Sequence, residues 1–335
     1  MSDGAALWTK QKSDISEQDY LDFYRGVSGQ YDEPLSNVHF RAEGRYEYTT
    51  LVFVPGSQPF DLFDLDRQGR IKLYVKRVFI TDEADLVPRY LRFVRGIVDT
   101  PDLPLNISRE MIQESPLLAA IKMVVTRRVR SALEKMAESD ADRFSKFWYL
   151  FGATIKEGIY EDFERRSQLL KLARFQSTVS NEATRGLADY VSAMREGQSA
   201  IYYISGSNLE QLRSSPHLEG FQAKGIEVLL LTDGVDNFWP TNVAEFEGKP
   251  FKSVTQGLAD LNAVASGENS GEGDQQSSPE VTAFIDFARG LLGEEVADVR
   301  VSGRLTESAV CLVAPENGPD RQLEKLLQGA GRLQT

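Results

Sequence analysis

The chain has 335 residues, 38 Lys and Arg against 50 Asp and Glu, and a formal net charge of −12. That length suggests about two domains of roughly 150 residues each, enough to bury a core without a disulfide or metal staple. The negative excess argues against binding to a phosphate backbone, the single cysteine (Cys311) excludes an intrachain disulfide, and no run of about 18 apolar residues is present to span a membrane.

Along the chain, residues 46–54 are β-branched and aromatic and run into a Pro55-Gly56 turn, which predicts a strand. Residues 71–80 begin by alternating Ile71, Leu73 and Val75 with Lys72, Tyr74 and Lys76, which predicts a half-buried strand. A helix follows over 116–137, with Leu117, Leu118, Ile121, Val125, Val129 and Leu133 spaced by threes and fours. Its opposite face carries Lys122, Arg127 and Arg130, read as a solvated basic face. Helical patterns near 140–157, 161–174 and 183–197 come next. Strand 200–204, a turn through Gly206, a helix to about Lys224 and strand 226–231 then make a βαβ unit with a parallel pair.

The 266–279 stretch has no apolar side chain to bury, which predicts a flexible acidic linker. Beyond it the pattern gives a helix over 281–293, strands over 296–304 and 309–315, and an amphipathic helix from about Pro319. The expected fold is α/β in layers: a large α/β/α sandwich subdomain over 1–125, a helical connector over 126–178 and a small α/β subdomain over 179–262. The linker then spans 263–280, and 281–335 form a mixed α/β unit that looks cut short.

Chemistry is sparse in the composition. His39, His217 and Cys311 are far apart in sequence and fall short of the clustered ligand set of a structural zinc site, so no metal is expected. A His–Cys nucleophile stays formally open beside the plainer reading of a surface histidine and a buried small thiol. The Ser-Gly-Ser turn at Gly206 lacks a phosphate-binding glycine pattern, and a glycine placed only for the turn is the plainer reading. The polar, acidic Met1-Ser2-Asp3-Gly4 start does not resemble a secretory signal, so a cytoplasmic setting is expected.

The most informative stretch is 99–113, Asp-Thr-Pro-Asp-Leu-Pro-Leu-Asn-Ile-Ser-Arg-Glu-Met-Ile-Gln. Ser108 suits a helix cap, and Arg109 and Gln113 then share one face near the helix N-terminus. A positive helix end, an arginine and an amide together make an anion-facing cluster, against the alternative of an ordinary surface arginine. This stretch closely resembles the middle domain of the 90-kDa heat-shock chaperone family. So do Leu7-Trp8-Thr9, Pro59-Phe-Asp-Leu-Phe63, the 71–80 segment, 199–206 and Glu245-Phe-Glu-Gly-Lys249, in the family's order.

The resemblance implies a fragment of an ATP-dependent chaperone, a middle domain with part of a C-terminal domain. On residue match, Arg109 is the arginine that reaches the γ-phosphate held by a separate N-terminal ATPase domain, with Gln113 its partner and Asn106 in the same loop. Phe60, Phe63, Leu103 and Leu105 match positions that dock on that domain, although Phe60 and Phe63 also fit ordinary burial. Client contact is implied for Tyr31, where many members carry Trp, and for Asp236-Asn237-Phe238 with Trp239, where the family's bacterial motif is Asp-Glu-Trp. Leu323, Leu326 and Leu327 match the client-facing helix, with core packing as the alternative. The fragment should hold no cofactor and be inactive alone, whereas the full-length protein would use ATP with Mg. Its implied partners are non-native client proteins and its own ATPase domain. The full-length protein should be a homodimer and the fragment mainly a monomer, with no nucleic-acid or membrane partner. From a different class, a free-standing α/β enzyme would bind a small ligand around Gly206 and Asp233.

Overall fold

The computed structural model describes residues 6–63, 70–104, 108, 110, 112, 114–256, 261, 278–315 and 321–329. Its contacts divide into two compact units, Met1–Arg174 and Phe175–Thr335.

In the first unit, helix α1 (Glu17–Ser28) starts at a capping box. The Ser16 hydroxyl accepts from the Asp19 N–H at 3.1 Å, and the Asp19 carboxylate accepts from the Ser16 N–H at 3.0 Å. It ends at Gly29, whose φ of 70° supplies the left-handed cap. Strands β1 (Ser36–Ala42), β2 (Tyr48–Val54), β3 (Arg70–Val75), β4 (Val78–Thr81) and β5 (Arg95–Thr100) form one sheet in the order β1-β2-β5-β3-β4. Only the β3–β5 pair is parallel; β1–β2, β2–β5 and β3–β4 are antiparallel. The central strand β5 is buried along its whole length, and Gly96 explains how it fits. A Cβ there would stand 2.2 Å from the Leu51 carbonyl oxygen of β2, at a φ of 142° that side chains rarely adopt. Tyr24 of α1 packs on this sheet with Leu51, Phe53 and Ile97.

The single strand expected over 71–80 is a hairpin. Ile71, Leu73 and Val75 are buried as the alternation requires, but the chain reverses at Lys76 and Arg77, whose φ values are 50° and 68°. Neither residue is the Gly or Asn that usually occupies such positions. The turn is held instead by bonds from the Lys76 N–H to the Thr100 carbonyl (3.3 Å) and from the Arg77 N–H to the Asp99 carboxylate (3.1 Å). Helices α2 (Pro116–Ser139), α3 (Ala141–Glu161) and α4 (Arg166–Leu172) complete the unit. Helix α2 passes unbroken through position 125, where a subdomain boundary was expected. Aromatic side chains tie α3 to the segment before β5: Phe93 stacks on Phe151 at 4.3 Å and meets Phe147 edge-on at 5.7 Å.

The second unit carries β6 (Arg174–Ser177), β7 (Ser180–Gly186), helix α5 (Leu187–Ser192) and β8 (Ile201–Ser205). Then come α6 (Leu209–Arg213), α7 (Glu219–Ala223), β9 (Leu229–Leu231), α8 (Trp239–Asn242), β10 (Glu245–Phe246) and β11 (Lys249–Ser253). The sheet order is β10-β11-β8-β9-β6-β7, and both β11 and β9 run parallel to β8. The expected βαβ unit is therefore present, with its crossover helix broken at Pro216 into α6, a 3-10 turn and α7. The helix expected over 183–197 shortens to α5, because 180–186 are taken up by β7.

Helices α9 (Pro279–Leu292) and α10 (Arg321–Gly329) lie where a helix and an amphipathic helix were expected. The strands expected over 296–304 and 309–315 do not form. The described residues there make one isolated parallel bridge, Gln256 with Ala314, and leave Val301, Val310, Leu312 and Val313 exposed. Apolar β-branched residues alone do not make a strand, since strand propensity is realised only through pairing with a neighbour. The 304–314 segment is held at its middle by the Glu219 carboxylate on α7. It accepts from the backbone N–H groups of Thr306 (2.7 Å), Glu307 (2.9 Å) and Ser308 (3.2 Å) and from the Ser308 hydroxyl. These donors, the Glu307 N–H foremost, hold its pKa down to about 2.

Candidate functional site

Leu105, Asn106, Arg109 and Gln113 lie outside the described residues. The chain on both sides of them is fixed. On the entering side, Asp99 at the end of β5 is buried and accepts from the Trp8 indole N–H at 2.8 Å as well as from Arg77. The Leu7-Trp8-Thr9 signature is thus a 3-10 turn that braces this strand end. One step on, the Thr100 hydroxyl donates to the Glu47 carbonyl at 2.7 Å, and the Asp102 carboxylate accepts from the Glu47 N–H at 2.7 Å. These bonds tie the lead-in to the start of β2. Leu103 follows, buried at 8% exposure. On the leaving side, the Ser108 carbonyl accepts from the Ile112 N–H at 3.0 Å, a helical bond where a helix start was expected. Ser115 then caps α2, accepting from the Leu118 N–H at 3.3 Å, with Pro116 in its first turn. The described residues on either side are thus a strand end held by Trp8 and Glu47 and a helix cap at Ser115.

The Pro59–Phe63 segment alternates in and out. Phe60 is 98% and Phe63 59% exposed, while Asp61 and Leu62 are buried. Burial was one of the two readings for the aromatic pair, and both side chains are exposed instead. Tyr31, 88% exposed, is held close by in the chain's path: Gln30 donates to the Ser57 hydroxyl at 3.1 Å, and Asp32 accepts from the Gly56 N–H at 2.6 Å. Tyr149 on α3 is 87% exposed, beside the Leu150 carbonyl that accepts from the Gln58 amide at 2.6 Å. Sequence reasoning passed over Tyr149; its signal was an aromatic on the polar side of an otherwise regular apolar stripe. Leu103 is not part of this group. Asp61 faces Arg95 at the first residue of β5 (3.5 Å), and Leu103 lies past its last residue, Thr100. At about 3.3 Å per residue the two ends are roughly 17 Å apart.

In the second unit, Trp239 is corrected from a client-facing residue to a core residue. It has no exposure, packs against Phe175 (5.8 Å) and Phe251 (5.2 Å), and donates its indole N–H to Asp236 at 2.6 Å. Asp236, also buried, accepts from the Asp233 N–H at 3.0 Å to close a capping box. The first carboxylate of the Asp236-Asn237-Phe238 run is thus structural, and Phe238, 42% exposed, is the residue left facing outward. On α10, Leu326 is 41% exposed, whereas Leu323 and Leu327 are half-buried.

Gly206, named in the enzyme alternative, has a packing role. A Cβ there would stand 2.8 Å from Leu212 of α6, so the glycine makes room for the crossover helix, and its N–H donates to the Leu231 carbonyl at 3.0 Å.

His39 is buried, with Nδ1 2.8 Å from the Tyr20 hydroxyl and Nε2 3.2 Å from the Trp8 carbonyl. His217 and Cys311, distant in sequence, meet at 3.4 Å. Burial first, then Arg304 and Arg321, push His217 down to about 4, and burial pushes the thiol up. Both partners are therefore neutral at pH 7, the opposite of a thiolate–imidazolium nucleophile. This depressed value has a pH consequence. The unfolded histidine takes a proton near its ordinary value of 6.5 and the folded one declines it until about pH 4. Stability present above 6.5 is therefore lost across that window as pH falls. Denaturant unfolding should show a lower midpoint at pH 5 than at pH 7, and His217→Asn should shrink that difference.

Among the described residues, no cluster of three or more His, Cys, Asp or Glu could hold a metal, and no helix is long and apolar enough to cross a membrane.

A two-unit layered α/β chain whose Leu7-Trp8-Thr9 signature braces the end of a central strand has the build of a chaperone middle domain. The Hsp90 protein family model matches residues 1–333, and the chain belongs to that family. It is 66% identical over 334 residues to the chaperone protein HtpG of Rhizobium meliloti (strain 1021), covering 100% of this chain and 53% of that protein. HtpG of Mesorhizobium japonicum is 62% identical over 333 residues, covering 99% of this chain and 53% of that protein. The chain thus spans about half the length of these curated relatives. Among solved structures, the middle domain of a Plasmodium falciparum heat shock protein matches with a TM-score of 0.67 and 32% identity. It covers 75% of this chain and 100% of that one.

Proposed function

We propose that this segment serves an ATP-dependent chaperone in two ways: it supplies Arg109 to a γ-phosphate bound on an N-terminal domain, and it holds non-native client segments. The observation that carries the first part is the fixed chain on either side. Asp99, Thr100 and Asp102 fix the chain before residue 105 and Ser115 fixes it after residue 113, which supports a role for an arginine at position 109. A positioned guanidinium stabilises charge that develops on a transferred phosphoryl group. Because ATP with its Mg would sit on the other domain, the isolated chain should not hydrolyse it. Replacing Arg109 in a full-length chaperone is the decisive test.

Docking on that domain belongs to Phe60 and Phe63, which are exposed aromatics on a fixed segment. An anchor of this type carries a large share of an interface's energy. Phe60→Ala in a full-length chaperone that includes this segment should lower ATP turnover about tenfold through lost domain association, with folding unchanged because the ring is solvated. An unchanged rate would remove Phe60 from the docking surface. Client contact is assigned to Tyr31, Phe238 and the α10 leucines, of which Leu326 is the most open. The cytoplasm is the proposed setting, and a homodimer the proposed state of the full-length protein.

A further inference from the structure

The PFDLF segment has to keep two aromatic rings in water while the residues between them turn inward, and a short loop left to itself would fold its rings against the nearest apolar surface. Something specific must hold it. Asp61 is buried, 3.5 Å from Arg95 and 4.0 Å from Arg70. A short contact to the segment's backbone is made by Arg92. Its Nε donates to the Leu62 carbonyl at 2.6 Å from a buried side chain.

Arg92 itself places four of its five N–H donors on described partners. Nη1 donates to the Arg89 carbonyl at 3.1 Å and to Glu157 at 2.6 Å, and Nη2 donates to the second Glu157 oxygen at 2.9 Å. The guanidinium is 6% exposed, so this forked pair is screened far less than a surface pair would be. Glu157 stands on α3, two turns on from Leu150, whose carbonyl accepts from Gln58 at 2.6 Å. One helix therefore grips the segment ahead of Phe60 directly and behind it through Arg92, from points about 10 Å apart along its axis.

We propose that Arg92, oriented by Glu157, is the positioning residue that presents Phe60 and Phe63 as a preformed docking edge. Preorganisation removes the ordering cost that a mobile loop would bring to the interface. This rests on the reading of Phe60 as a docking residue, and two measurements separate the failure of one from the failure of the other. The first is hydrogen exchange on this chain. Arg92→Ala should speed exchange of the 60–63 amides at least tenfold beyond any change in the central strand β5. Glu157→Gln, which keeps shape and burial while loosening the fork, should speed it a few-fold without unfolding risk. Arg92→Lys keeps the charge but cannot reproduce the fork together with the Leu62 bond, so it should not rescue protection. Exchange at 60–63 that moves only in step with β5 in both Arg92→Ala and Glu157→Gln would reduce the pair to a general structural contact and overturn the proposal.

The second measurement is a double-mutant cycle on ATP turnover in a full-length chaperone that includes this segment. If Arg92 acts through the rings, Glu157→Gln lowers turnover alone but adds nothing to Phe60→Ala. Additive losses would overturn the proposal. A Phe60→Ala rate equal to the parent would overturn the docking reading, and the exchange result would then decide the positioning role by itself.

Discussion

Arg109→Ala in a full-length chaperone that includes this segment should lower ATP turnover by about 100-fold or more while leaving ATP affinity within a few-fold of the parent. The size follows from the work asked of a guanidinium at a phosphoryl group: removing one preorganised donor costs about two to three powers of ten, and an arginine finger more. The selectivity follows from placement. An arginine delivered from a second domain meets the nucleotide only when the domains close, so it contributes to the transition state more than to ground-state binding. Turnover measured alongside nucleotide titration checks both halves. A parent-like rate would remove Arg109 from the reaction, and an equal loss of affinity would make it a binding residue instead. Arg109→Lys should recover little, because an ammonium cannot present the forked donors that match phosphate oxygens.

Trp239→Ala should cost the second unit about 3–5 kcal/mol of stability. The ring has no exposure and fills the space between Phe175 and Phe251, so its removal leaves a cavity that two flanking aromatics cannot close. It also strips the Asp236 carboxylate, itself 1% exposed, of its 2.6 Å indole donor. Phe238→Ala, one residue earlier and 42% exposed, should change stability by less than about 1 kcal/mol. Denaturant unfolding of the two variants side by side checks the contrast. A small effect at Trp239 would mean that this aromatic centre repacks.

That adjacent pair shows where sequence reading was strong and where it was blind. The Asp-Asn-Phe-Trp run could be matched to a family motif, but not oriented, because a short helical turn places neighbouring residues on different faces. Orientation came from a capping box whose second carboxylate, Asp236, does double duty for the indole. The β3 alternation was legible and its end was not. Lys76 and Arg77 reverse the chain without turn-forming residues, since the stabilising groups, Asp99 and the Thr100 carbonyl, come from a strand more than 20 residues later. The meeting of His217 with Cys311 was hidden for the same reason. Helices α2, α3 and α9 were read nearly to their ends, because periodicity and local caps at Ser115, Asp140 and Ser278 are properties of consecutive residues. Where a feature depended on a distant partner, as for the strands expected over 296–304 and 309–315, local composition pointed the wrong way.

The Glu219 clasp also has a mechanical meaning. Three consecutive N–H groups and a hydroxyl converge on one carboxylate that is some 90 residues away along the chain. The 304–314 segment is therefore coupled to α7 through a bolt that short-circuits everything between Ala223 and Arg304. Force applied to that segment would be borne by α7 and the parallel strands behind it before the intervening chain came under tension. Because these donors hold the carboxyl down to about 2, the bolt stays charged well below neutral pH.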